Sequence, residues 1–331
     1  MRVSILTELP PLLREMGHDP ELLLAELGLD PMLLADPENV LPFRVVGNVL
    51  NRCVMRTGCA HFGLLLGQRG GTVTLGNVGL LARCSPDVGS ALRNLIRHLH
   101  HHDQGAVPSL SVNGNTALLG YAIYETEVPA SDQIYAAAIA IAFRIMRELC
   151  GSDWRPSEVW LPFRKPRDTA PFRQFFRTPL RFDAEHATLA FPAAWLKCAL
   201  HSVDCDARQQ VETLLATRPG AEFTTRARRA MRAILAHGKL TEDQLAAHFG
   251  VSRRTLIRQL QQEDVSFHLL LKELRHEVAC QMLRDTDNLI DHIATSLGYA
   301  GASSFTRAFK AWTGQTPADW RNRNRTPPSS R

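Results

Sequence analysis

The spacing of apolar residues predicts helices with short breaks over the first hundred residues. LPFRVVGNVLNRCVMRTG and SPDVGSALRNLIRHLHHHDQG are the clearest, the second opened by a Ser85-Pro86-Asp87 start signal. LSVNGNTALLGYAIYET then reads as two strands around a hairpin-like turn at Asn113-Gly114-Asn115. SDQIYAAAIAIAFRIMRELCG is apolar almost all round, which predicts a long helix central to the first domain. SEVWLPF and ATLAFP are strand-like, and DARQQVETLLATRPGAEF reads as a connecting helix closed by a Pro-Gly break. The mixture predicts an α+β domain over residues 1–205, followed by a connecting segment at 206–223.

From Thr224 onward only short helical patterns remain. TTRARRAMRAILAHG is the first and is expected to stop at His237-Gly238, because Gly suits a helix C-terminus. In LTEDQLAAHFGVSRRTLIRQLQQ, Thr241 and Gln244 form a capping-box signature, Gly250 breaks the chain, and Ser252 caps a second helix. That is a helix-turn-helix over about 241–262. The arrangement recurs in NLIDHIATSLGYAGASSFTRAFKAWTGQTP, over about 288–313. Between them SFHLLLKELRHEVACQMLRDT predicts a helix of roughly 19 residues, about 28 Å long. Successive major grooves of B-DNA lie ~34 Å apart, so such a linker could place two helices in neighbouring grooves. The expected fold is an α+β N-terminal domain, then an all-α domain (224–321) of two helix-turn-helix units joined by a linker helix, with 322–331 a disordered tail.

The two second helices each have two faces. Phe305, Ala308, Phe309 and Trp312 recur at i, i+3, i+4 and i+7, an apolar face. Ser303, Thr306, Arg307 and Lys310 take the opposite side, with Ser304 also available. In the first unit Leu256 and Leu260 point inward, leaving Arg253, Arg254, Ile257, Arg258 and Gln261 outward. Arg suits guanine O6/N7 and phosphate, hydroxyls can bond either, and Ile257 can offer only apolar contact, such as to a thymine methyl. Any one of these cations also reads as a solvated surface charge. Their agreement in two repeated units points to double-stranded DNA.

Charge supports the same partner. The net charge is +5, yet residues from Glu222 onward hold 17 Lys+Arg against 11 Asp+Glu, and the first 221 hold 21 against 22. The whole excess sits in the last third, which suits a polyanion. Composition is 45% hydrophobic, with no apolar run of 18 residues or more, so a soluble cytoplasmic protein without a membrane span is expected. Seven scattered cysteines without a C-x-x-C pair suit reduced thiols.

These residues also carry a resemblance. LAAHFGVSRRTLIRQL, ELRHEVACQML, IATSLGYAGASSFTRAFKAWTG, and Pro317 with Trp320-Arg321 resemble the DNA-binding domain of the AraC/XylS family of bacterial transcription regulators. Trp320 stands where that family usually has Tyr or Phe, a departure expected to alter packing only. The resemblance implies groove-facing roles for Arg253, Arg254, Ile257, Arg258, Ser303, Ser304, Thr306, Arg307 and Lys310. RQFFRTPLRFDAEHATLAFPAAWL and LGNVGLLARCSPDVGSALRNLIRHLHHH are similar to the arabinose-binding sensor domain of many members. It implies a small organic effector, not arabinose in particular, together with dimerisation through the first domain and activation by helping RNA polymerase. Repression by occlusion is physically as open, and so is a first domain that only oligomerises.

Other features carry less. His98, His101 and His102 share a helical face beside Asp103, but no further ligand at metal spacing completes a shell, so structural histidines are expected. Cys53, Cys59, Cys198 and Cys205 read as ordinary thiols. The apolar stripe from Ile134 to Met146 reads as core, with a ligand pocket as the alternative. Arg164, Lys165, Arg167 and Arg173 lie in a Pro-broken loop, expected to be solvated or else to clasp an anion. No G-x-S-x-G, Walker A, strand-borne G-x-G-x-x-G or H-E-x-x-H occurs, so no catalytic residue, cofactor or metal is expected. A DNA-repair methyltransferase fused to such a reader would need a reactive-Cys motif and a cysteine zinc cluster, which are not visible.

Overall fold

The computed structural model describes residues 1–103, 105–125, 128–200, 223–235 and 240–325. The first domain opens with helices α1 (Leu9–Glu15), α2 (Pro20–Glu26), α3 (Phe43–Thr57), α4 (Phe62–Gly67), α5 (Gly76–Arg83) and α6 (Val88–His98). Asp87 caps α6 by accepting from the Ser90 N–H, as the Ser-Pro-Asp signal predicts. Strands β1 (Ala106–Asn113) and β2 (Thr116–Ile123) then pair antiparallel from Ala106↔Ile123 to Asn113↔Thr116. Gly114 turns the hairpin at φ 59°, a conformation that favours glycine.

Helix α7 (Ser131–Cys150) follows, then β3 (Glu158–Trp160), α8 (Ala170–Phe176), β4 (Leu180–Arg181) and β5 (Ala187–Pro192). The sheet order is β1-β2-β5-β3-β4, antiparallel except for the parallel β3/β4 pair. The two-residue β4 and the short α8 are too brief to leave a readable period in the sequence. Helix α7 is central, as its all-round apolar pattern predicts, with Ile134, Ile139, Phe143 and Met146 buried. It lies so close to α4 that a Cβ on Gly63 would fall 2.1 Å from the Gln133 carbonyl oxygen, and one on Gly67 2.4 Å from that of Ala137. Only glycine permits that approach.

The second domain is helical throughout its described residues: α9 (Phe223–Leu235), α10 (Glu242–Phe249), α11 (Arg253–Gln261), α12 (Phe267–Asp285), α13 (Ile290–Ser296), α14 (Ala302–Thr313) and α15 (Pro317–Asn324). The capping box is present in full at Thr241 and Gln244, and Gly250 is left-handed at φ 65°. Linker helix α12 has 19 residues and buries Phe267, Leu270, Leu274, Val278 and Met282 along its length. The domain's core is distinct from the core of the first domain. The expected connecting helix and the His237-Gly238 stop lie outside the described residues. One expectation is corrected: residues 322–324 continue α15 and do not begin a tail. Thr316 caps that helix, Pro317 suits its first position, and the Asn324 amide donates to the Trp320 carbonyl.

Candidate nucleic-acid interface

Each outward face follows from what its helix buries. In α11 the Ser252 hydroxyl accepts from the Thr255 N–H at 3.2 Å, while Leu256 and Leu260 are 0% and 1% exposed. Arg253, Arg254 and Arg258 are thereby turned to solvent, and Ile257 is half-buried at the edge of that face. Arg254 and Arg258 form no ion pair among the described residues. Arg253 differs, because its Nε donates to the Glu242 carboxylate at 2.5 Å while its side chain stays largely exposed. A surface pair of this kind contributes roughly 0–1 kcal/mol, so it orients Arg253 without locking it.

In α14 Phe305 and Phe309 are both 0% exposed. Their rings meet at 5.6 Å, and Phe309 also packs against Trp312 and Trp320. His276 of α12 closes on the same aromatic cluster. Ser303, Arg307 and Lys310 are exposed on the other side, with Ser304 and Thr306 half-buried. The Ser304 hydroxyl donates to the Gly301 carbonyl at 2.8 Å, so its proton is used within the helix. The Asp291 carboxylate accepts from the Ala302 N–H at 3.0 Å, which places an acid at the N-terminus of α14. Trp320 packs edge-on against Phe309, with ring centroids 6.0 Å apart.

A further set of contacts, not read from the sequence, joins the reader to the first domain. Arg164 was expected to be solvated or to clasp an anion; it is a docking residue instead. Its Nε donates to Asp287 at 2.8 Å, a terminal nitrogen donates to the Arg284 carbonyl at 2.6 Å, and its backbone N–H donates to the Asp285 carbonyl at 3.1 Å. The bare carbonyls at the C-terminus of α12 explain why a cation sits there. Ser131, at the start of α7, donates to the Asp285 carboxylate at 2.9 Å. Asp183 accepts from the backbone N–H of Asp287 and, through its carbonyl, from the Asn288 amide, each at 2.9 Å.

The other end of this junction is built on tyrosines. Gln281 of α12 donates to the Tyr135 hydroxyl at 2.6 Å and accepts from Arg232 of α9 at 2.6 Å. Arg229 donates to Tyr124 at 3.0 Å, its guanidinium lying over the ring. Arg232 is 5% exposed; burial is the largest influence and lowers its pKa, opposed by Tyr135 and Glu277. Helical period cannot reveal these partners, since the two contacts that join the domains span 105 and 146 residues.

No helix among the described residues is long and apolar enough to cross a membrane. The family model describing the arabinose-binding domain of AraC transcription regulators, N-terminal, matches residues 17–200. A helix-turn-helix domain model matches residues 245–323. The ornithine utilization regulator of Pseudomonas aeruginosa is 25% identical over 320 residues, covering 94% of this chain and 93% of the relative. The regulator VqsM of the same organism is 24% identical over 282 residues, covering 78% and 83%. Among solved structures, the transcriptional regulator CdpR from Pseudomonas aeruginosa aligns over 91% of this chain and 96% of its own, at 23% identity and a TM-score of 0.45. With more than half of its length matched by the sensor model and a helix-turn-helix domain behind it, this chain belongs to the AraC family of transcription regulators.

Proposed function

We propose that this regulator reads promoter DNA with two helices and answers to a small organic effector held in its first domain. Helix α11 enters one major groove with Arg253, Arg254, Ile257 and Arg258. Helix α14 enters the next with Ser303, Ser304, Thr306, Arg307 and Lys310. The observation that carries the reading is the repeated unit itself: each second helix buries one apolar face and turns cations outward, on opposite sides of one 19-residue linker. Arginines at such positions can read guanine or hold phosphate.

Control passes through the docking of α12 on the first domain. The effector favours one arrangement of sensor and reader, and it acts only through its differential affinity for the two. The protein works in the cytoplasm as a homodimer joined through the first domain, and it activates transcription by aiding RNA polymerase. The test is selection of genomic fragments by the purified protein, followed by a footprint at base resolution. Protection of two neighbouring major grooves on one face per monomer supports the reading. Diffuse protection that fades with salt, with and without extracts of small metabolites, sinks it.

A further inference from the structure

A cavity of about 130 Å³ lies inside the first domain, between α7, the sheet and the N-terminal helices. Its walls are almost wholly apolar, including Leu50, Leu92, Leu119, Ile134 and Ile141. The polar side chains that line it are Thr74, His102, Asp103 and Tyr121. The Thr74 hydroxyl is engaged, donating to the Gly71 carbonyl at 2.7 Å. The other three form one polar end. Tyr121 donates to Asp103 Oδ2 at 2.6 Å, the Gly105 N–H donates to Oδ1 at 2.9 Å, and His102 Nε2 lies 3.4 Å from the Ser4 hydroxyl.

The lining also decides what is excluded. Among the described residues, no lysine or arginine side chain lines the cavity. Met1 does line it, but its amino group donates to the Leu41 carbonyl at 2.7 Å and its charge already faces Asp103. A carboxylate ligand would therefore lose its hydration beside Asp103 with no cation side chain to replace it. A free sugar would leave most of its hydroxyls against aliphatic carbon, each unpaired hydroxyl costing a hydrogen bond. What remains open on the protein side are chiefly acceptors, the unused lone pairs of Asp103 and of the Tyr121 hydroxyl, with the second ring nitrogen of His102 beside them. They suit a donor. For scale, an apolar protein cavity of ~150 Å³ accommodates benzene.

We infer that this cavity is the effector site, and that it takes a neutral, mostly apolar molecule of about six to eight non-hydrogen atoms bearing one hydroxyl group. The hydroxyl donates to the Asp103–Tyr121 end while the apolar body fills the aliphatic wall. Helix α7 ties the site to the reader: Ile134, Ala137 and Ala138 line the cavity, and Tyr135 between them holds Gln281 of the linker helix. Calling the occupant an effector rests on the regulator reading above; the chemistry of the cavity does not.

The test titrates the full chain with benzyl alcohol, benzoate, toluene and L-arabinose, following thermal unfolding and calorimetric heat. Benzyl alcohol is expected to raise the midpoint by about 2–4 °C once the site is mostly filled. Benzoate and arabinose are expected to leave it unchanged. Ala138→Phe, which fills the cavity from α7, should abolish the shift. Tyr121→Phe tests the polar end with less risk to folding: its affinity for benzyl alcohol should fall at least about fivefold while toluene binds as before. Benzoate binding as tightly as benzyl alcohol, arabinose alone giving the shift, or equal binding to Ala138→Phe would each overturn the inference. A specific footprint with no benzyl alcohol binding would overturn the site and leave the regulator reading standing. Binding without any specific footprint would do the reverse.

Discussion

The Gln281 side chain donates to the Tyr135 hydroxyl at 2.6 Å, and this one hydrogen bond spans the two domains. Tyr135 is 3% exposed, and its hydroxyl also accepts from the Ile123 N–H at the end of β2. It thus ties the sheet, the central helix and the linker helix at one atom. Tyr135→Phe keeps the ring and leaves Gln281 and the Ile123 N–H without that acceptor. A loss of about 1–3 kcal/mol is expected, from the cost of unpaired buried groups. Hydrogen exchange should show faster exchange in the C-terminal half of α12. Unchanged protection there would mean that the bond does not hold the domains together.

Arg164 supplies the second anchor, at the opposite end of the junction. It binds three residues at the end of the linker helix and just beyond it, Arg284 and Asp285 through their carbonyls and Asp287 through its carboxylate. Arg164→Ala removes the guanidinium and keeps the backbone bond. The Asp287 carboxylate is 52% exposed and solvent screens that pair, so domain docking should weaken by about 1–2 kcal/mol. The sign on DNA affinity shows which arrangement is competent. A tighter complex identifies the docked state as the restrained one, and a weaker complex identifies it as the reading one. Identical unfolding and identical DNA affinity would remove Arg164 from the mechanism.

Much of the reader was legible in the sequence because its information is local. Caps at Thr241 and Ser252, the left-handed Gly250, and the spacing of Phe305, Phe309 and Trp312 all act within a turn or two of chain. The hairpin at Gly114 was readable for the same reason. What escaped is set by distance along the chain. Arg164 meets α12 across 120 residues, and Gln281 meets Tyr135 across 146. The stripe from Ile134 to Met146 shows the limit well. Its period predicts burial, but the same helix both fills the core at Phe143 and borders a cavity at Ile141, and no pattern of hydrophobicity separates the two.

Phe309 tests the packing that aims α14. It is fully buried and touches Phe305, Trp312, Trp320 and His276. Phe309→Ala leaves a cavity at that junction and is expected to cost about 3–5 kcal/mol. Unfolding followed by tryptophan fluorescence, to which Trp312 and Trp320 contribute alongside the three tryptophans of the first domain, should show the loss as an earlier transition. A melting curve matching that of the parent would contradict the face assigned to the helix.

Acid should loosen the first domain through His102. Burial, with Arg2 adding to it, pulls the imidazole pKa down to about 4. The unfolded chain titrates near 6.5, so it binds the proton first as pH falls. Stability from this residue is therefore complete above about pH 6.5 and is lost progressively down to about pH 4, by about 2–4 kcal/mol in all. Asp103 beside it works the other way, because burial raises its pKa and a fall in pH relieves the cost of its buried charge. Comparing the parent with His102→Gln isolates the imidazole. The variant should lose less stability between pH 6.5 and 4, measured by urea unfolding at stepped pH. Parallel pH curves for the two would show that His102 is protonated in the fold as readily as in water.

Arg307 is the sharpest probe of DNA reading. It is exposed at the middle of the outward face of α14, has no ion pair among the described residues, and lies opposite Phe305 and Phe309, which hold the helix in place. Arg307→Ala should therefore leave folding intact. If the guanidinium reads a base pair, affinity for the selected site falls by about 1–3 kcal/mol, with little change on random DNA. If it holds only phosphate, both affinities fall alike, and the dependence of log K on log salt becomes shallower by about one. Titrations of both DNAs at three salt concentrations separate the two roles. Affinities unaltered on either DNA would leave Arg307 outside the interface and would require α14 to meet the duplex by another face.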